Sequence, residues 1–137
     1  MTNESVKKFD GEIKNIVNFK ENNVTIANID NQKNIITVET KNESLFNALY
    51  ELCIYDVNSS KGPKTYELED VPMQVVCNKN IIAINTGEEI IFLNSSGNFQ
   101  KKCEYKGQLK DICLFGDGET AVLVFRDNAE FIKIGGI

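Results

Sequence analysis

IIAINTGEEIIFLNSSG, residues 81–97, decides how the chain is read. Two apolar runs, Ile81–Ile84 and Ile90–Leu93, are parted by the turn Asn85-Thr86-Gly87-Glu88 with Glu89 and closed by Asn94-Ser95-Ser96-Gly97. Four-residue apolar runs between turn formers are too short for helices. They suit strands buried on both faces. Asn, Gly and Ser supply the turn conformations between them.

Working outward, Gln100–Tyr105 is polar and alternating, which marks an outer or edge strand, and Met73–Cys77 forms an apolar strand before the core pair. Residues 73–105 thus read as a four-strand unit, with strands near 73–77, 80–85, 89–94 and 99–105. The unit recurs. Cys53–Cys77 lies over Glu89–Cys113 without a gap, 36 residues apart. That match places Asn58-Ser59-Ser60 on Asn94-Ser95-Ser96, Val76 on Ile112 and Cys77 on Cys113. Downstream, Ile81–Ile84 falls on Val122–Phe125 and Ile90 on Phe131, 41 residues on, because Gly116-Asp117-Gly118-Glu119 lengthens a turn. A period of this size with four short strands is that of a β-propeller blade.

Three units follow: 24–68, 73–105 and 109–135. The first has strands near 24–29, 34–40, 49–57 and 64–68; the third, near 109–115, 120–126 and 129–135, lacks a fourth. Gly11–Phe19 lies gaplessly over Gly97–Tyr105, a fourth strand, so 11–19 is expected to complete the last blade; Ile13–Phe19 also matches Leu109–Phe115. Helix signals are scarce. Ser44 with Leu45, Ala48, Leu49 and Leu52 could cap a short helix, but an extended hairpin is preferred there. The expectation is one all-β domain over 1–137, a partial β-propeller of about three four-stranded antiparallel blades, with a β-sandwich or open barrel as the alternative.

At 137 residues and net charge −5, the chain has one domain's length and no basic surface for nucleic acid. Its basic pairs, Lys7-Lys8 and Lys101-Lys102, read as solvated positions, and no apolar run is long enough to insert in a membrane. Cys53, Cys77, Cys103 and Cys113 form no CxxC pair and sit in apolar or alternating segments, so they read as small buried hydrophobes.

There is no His, which removes Ser–His, Cys–His and His–metal arrangements. Glu88-Glu89 and Asp117/Glu119 are turn acids that read as solvated; Asp117-Gly118-Glu119 lacks the ligand run of a calcium loop. Tyr50, Tyr55, Tyr66 and Tyr105 read as gap fillers with hydroxyls near water. No catalytic, cofactor-binding or metal residue is assigned.

The strings KGQLKDICLFGDGETAVLVF (106–125) and NIIAINTGEEIIFLNSSGNF (80–99) resemble the blades of PQQ-like propeller repeats. They look most like an uncharacterised propeller family of Gram-positive bacteria, whose first-unit insertion the stretch between Glu39 and Leu52 also resembles. The resemblance covers roughly residues 24–135 and implies an extracytoplasmic propeller held by an N-terminal membrane anchor, but carries no catalytic residues. The sequence shows no such anchor and too few blades for a ring.

Function in propellers lives in the loops. The expected activity is non-enzymatic binding or scaffolding through the second-to-third strand turns, with Thr86, Glu88, Arg126 and Asp127 on one face. The alternative is a remnant or part of a quinoprotein-like enzyme, or a small-ligand sensor. Expected partners are a second copy completing a ring, or the rest of a longer propeller. A protein or small-molecule ligand would occupy the turns.

Overall fold

The computed structural model describes residues 5–9, 13–18, 23–29, 34–41, 49–59 and 61–134. Among them there is no helix, and all regular structure is antiparallel β. The chain divides into two compact units, one of residues 1–29 and 33–71, the other of 30–32 and 72–137.

The first unit holds a hairpin, β1 (Ser5–Phe9) with β2 (Ile13–Asn18), and a four-stranded sheet. That sheet runs β3 (Asn23–Ile29), β4 (Asn34–Lys41), β5 (Leu49–Asp56), β6 (Lys64–Leu68) in order. The strand expected over 11–19 is therefore present as β2, but it pairs with β1. The possible helix from Ser44 falls partly outside the described residues; from Leu49 on the chain is strand.

Both faces of β4 are buried: Ile36 and Val38 on one, Ile35, Thr37 and Glu39 on the other. Register carries the second face across the sheet, with Ile35 opposite Tyr55, Thr37 opposite Cys53 and Glu39 opposite Glu51. A buried carboxylate demands donors, and Glu39 Oε2 accepts from Thr37 Oγ1 and from Tyr55 Oη, each at 2.6 Å.

The second unit holds two sheets. One is ordered β7 (Gln74–Asn78), β8 (Ile81–Asn85), β9 (Glu89–Asn94), β10 (Phe99–Glu104). The other is ordered β11 (Leu109–Leu114), β12 (Thr120–Phe125), β13 (Ala129–Lys133), three-stranded among the described residues. Polar β10 is an edge strand, as its alternation implies. The two sheets pack face to face. Ile81, Ala83, Ile90 and Phe92 from one side meet Ile112, Ala121, Leu123 and Ile134 from the other in one buried cluster.

First strands β7 and β11 lie against each other, tied where Asn78 Nδ2 donates to Leu114 O at 3.2 Å. Their turns also coincide, since Lys79 reaches the surroundings of Gly116. Two antiparallel sheets stacked face to face suit neighbouring propeller blades and equally a β-sandwich. Among the described residues no sheet closes into a barrel. The architecture is all-β, built of antiparallel sheets of four, four and three strands, and is consistent with a partial propeller or a β-sandwich.

Two registers differ from the sequence match. In the first unit the turn after the third strand starts at Asp56, whose Oδ1 accepts from Asn58 N; in the second it starts at Asn94, whose Oδ1 accepts from Ser96 N and Asn98 N. Asp56 and Asn94 end their strands, so the identical Asn-Ser-Ser tripeptides fill different places. Secondly, Val76 pairs with Ala83, whereas Val124, the match of Ala83, pairs with Asp111. Val76 thus corresponds to Asp111, not Ile112. A one-residue slip exchanges the faces of a strand, and Val76 and Ile112 do enter the shared cluster from opposite sheets.

Candidate functional site

The β8–β9 turn is built from its own side chains. Thr86 N donates to Glu89 O at 3.0 Å, and Thr86 Oγ1 accepts from Glu89 N at 3.2 Å. Asn85 Oδ1 accepts from Gly87 N at 2.9 Å. Gly87 has φ 104°, open to glycine alone at no cost, and a Cβ there would meet Met73 Sδ at 3.0 Å.

Tyr105 joins this turn to the next sheet. Its hydroxyl donates to Asn85 Oδ1 at 2.7 Å and its N–H to Glu88 O at 3.1 Å. Its ring lies 6.1 Å from that of Phe125, tilted at 56°. Phe125 N in turn donates to Asn128 O at 2.7 Å, closing the β12–β13 turn. The two turns therefore sit at the same end of the second unit, linked by an aromatic pair. Glu88, Arg126 and Asp127 are exposed there. Thr86 is exposed too, but its hydroxyl is spent on the turn. Tyr105 is the residue that reading turns alone misses, because its partner Asn85 lies 20 residues away in the sequence.

The other acids are engaged locally. Asp117 Oδ1 accepts from Glu119 N at 2.8 Å and Thr120 N at 3.0 Å, and its Oδ2 from Thr120 Oγ1 at 2.7 Å. The Glu119 backbone N–H, then the Thr120 hydroxyl, hold the Asp117 carboxyl below its ordinary range. Glu119 Oε2 faces Lys133 Nζ at 3.2 Å, and Glu89 Oε2 faces Lys102 Nζ at 3.6 Å. Among the described residues, no three His, Cys, Asp or Glu gather as a metal would need, and no helix is long and apolar enough to cross a membrane.

The cysteines divide. All four are free thiols; Cys53 is buried, Cys77 and Cys103 are half-buried, and Cys113 is exposed. The expectation of four buried hydrophobes fails at Cys113, which lies opposite Val122 on the outer face of its sheet. Burial first, then the carboxylates of Glu39 and Glu51, push the Cys53 thiol far up, so it stays protonated and unreactive near neutrality. Burial, then the bond to Glu39, likewise holds Tyr55 above its ordinary range. The polar group around Glu39 is a satisfied interior network that offers neither a nucleophile nor a free base. No family model, curated protein or solved structure matches the chain.

Proposed function

We propose that the chain is a non-enzymatic, propeller-type binding module that works through the end of the second unit carrying Glu88, Arg126 and Asp127. One observation supports this above the rest. Tyr105 fastens the two second-to-third strand turns to each other through Asn85 and Phe125. Exposed charged side chains on turns held by a rigid scaffold are the usual form of a binding surface. The mixture of two acids and an arginine suits a polar peptide or protein surface, with Arg126 as its fork-shaped donor. Thr86 shapes the turn in this reading. A PQQ-like propeller origin, and the extracytoplasmic setting it implies, belong to the same proposal.

The test is selection of binding peptides from a random displayed library, followed by affinity measurement against Glu88→Ala and Arg126→Ala. At least a tenfold loss, about 1.4 kcal/mol, is expected with either variant. Selected peptides that ignore both substitutions would overturn the reading. So would a large rise in Tm with calcium or pyrroloquinoline quinone, which would favour the quinoprotein-like alternative.

A further inference from the structure

The turn between β11 and β12 holds a reactive pair, Asp117-Gly118. Asp117 is exposed, and Gly118 has φ 73° with nothing within 4 Å of where a Cβ would stand. An aspartyl carboxyl followed by glycine is open to attack by the glycine's own main-chain nitrogen, because no side chain shields that nitrogen. The bond that forms joins Gly118 N to Asp117 Cγ. The nitrogen gives up its proton, the carboxyl gives up its hydroxyl, and the two leave as water. A second water then opens the cyclic imide. Attack at the former main-chain carbonyl breaks its bond to Gly118 N and leaves an isoaspartyl linkage, of unchanged mass, running through the side-chain carbonyl.

The folded turn withholds each part of this reaction. Both carboxyl oxygens are committed beyond the glycine: Oδ1 accepts from Glu119 N at 2.8 Å and Thr120 N at 3.0 Å, and Oδ2 from Thr120 Oγ1 at 2.7 Å. The attacking nitrogen is committed in the other direction, donating to Phe115 O at 3.3 Å. Neither donor residue is free to follow the carboxylate. Glu119 O accepts from Ile134 N at 2.6 Å, and Thr120 O accepts from Phe115 N at 2.9 Å. The Glu119 N–H, then the Thr120 hydroxyl, also favour the ionised carboxyl, whereas departure of the hydroxyl needs the neutral acid.

From this we propose that Asp117-Gly118 is a modification site held closed by the fold: the pair isomerises to an isoaspartyl linkage when the β11–β12 turn opens, and the bonds from Glu119 and Thr120 to the Asp117 carboxylate keep it from doing so. Positioning decides the rate. The reaction needs the carboxyl carbon turned to Gly118 N, and three donors hold the carboxylate on Glu119 and Thr120 instead. The site lies at the other end of the third sheet from Arg126 and Asp127, so it does not rest on the binding reading.

The product cannot rebuild the turn. An isoaspartyl linkage adds a methylene to the main chain between β11 and β12 and leaves its carboxylate on an arm shorter by the same methylene. Thr120, only 8% exposed, then keeps a buried hydroxyl without its acceptor, which is costly. Each opening that ends in reaction is therefore retained in the chain as a lasting mark on this hairpin.

The test is to age the full chain at neutral pH in buffer and in urea, counting isoaspartate at residue 117 by peptide mass spectrometry with electron-transfer fragmentation. The folded chain should convert at least about tenfold more slowly than the unfolded one, the weight of a hydrogen bond to a charged group. Thr120→Val keeps the side chain's shape and removes its hydroxyl. It should raise the rate in buffer about tenfold and leave the rate in urea unchanged. Thr120→Ser, which keeps the hydroxyl, should stay near the parent rate in both. Equal parent rates in buffer and urea overturn the proposal, as does an absence of isoaspartate in urea. So does a Thr120→Val chain that keeps the parent's circular-dichroism spectrum and isomerises no faster, or a Thr120→Ser chain as fast as Thr120→Val. Where Thr120→Val does not fold, the parent's ratio between buffer and urea decides alone.

Discussion

The second and third sheets carry nearly the same apolar strand in different surroundings. Every residue of Ile81–Asn85 is buried, whereas in Thr120–Phe125 burial falls on Thr120, Ala121 and Leu123, and Val122 and Val124 are half-open. A continuous apolar run thus states that a strand can be covered on both sides. Which of its faces are covered depends on what packs against the sheet, as the third sheet does on the Ile81, Ala83 and Ile90 face of the second. Stability should follow the neighbour rather than the sequence.

The largest effect should come from breaking the covered partner. Phe92 is 0% exposed, and Phe92→Ala should cost about 3–5 kcal/mol through lost burial and a residual cavity. An exposed phenylalanine of the third sheet gives the contrast: Phe131→Ala should cost less than about 1 kcal/mol. Urea unfolding of both variants at low protein concentration checks the contrast.

Within β12 the same comparison can be drawn one residue apart. Leu123 is 1% exposed, and Leu123→Ala should cost about 2–5 kcal/mol. Val122→Ala, on the open face, should cost about 1 kcal/mol or less. Similar losses at both positions would mean that the strand is covered on both sides after all.

A smaller effect concerns how the two sheets are joined. Tyr105→Phe keeps the ring against Phe125 and removes only the hydroxyl's bond to Asn85, so a loss of about 1 kcal/mol is expected. Amide exchange in the β8–β9 turn should quicken at the same time, because Asn85 Oδ1 keeps only Gly87 N as a donor.

The smallest effect is at the opposite end of the third sheet. The Asp117 carboxylate is favoured in the folded chain, so its contribution is present above the ordinary carboxylate range and fades as pH falls through its lower folded value. The parent chain should lose stability more steeply than Asp117→Asn between about pH 4 and pH 2, measured as urea midpoints.

The strands of the second and third units were readable because apolar runs and turn formers alternate there without ambiguity. Ile81–Ile84, Ile90–Leu93 and Ala121–Phe125 became β8, β9 and most of β12. Register was less readable. Asp and Asn serve turn initiation equally, so Asp56 could take the role that Asn94 plays while the shared Asn-Ser-Ser pulled the match two residues off. A β-bulge between Leu109 and Asp111 added a residue that gapless comparison cannot see. Pairing choice was hidden too, since β2 bonds to β1 rather than to the third sheet.

Of the candidate site, the turns and their charged residues were legible, because turn chemistry is local. The Tyr105 link was not, because it spans 20 residues to Asn85 and crosses to Phe125 on another sheet. Glu39 was hidden for a different reason. A glutamate beside Val38 reads as a strand's solvent face, and only the hydroxyls of Thr37 and Tyr55 make its burial tolerable.

The four thiols offer the most direct measurement of one covered and one open face. Timed alkylation of the dilute native chain, resolved by peptide mass spectrometry, ranks Cys53, Cys77, Cys103 and Cys113. Cys113 should react first, Cys77 and Cys103 later, and Cys53 only on unfolding. A Cys113 as protected as Cys53 in the dilute monomer would contradict an open outer face on the third sheet.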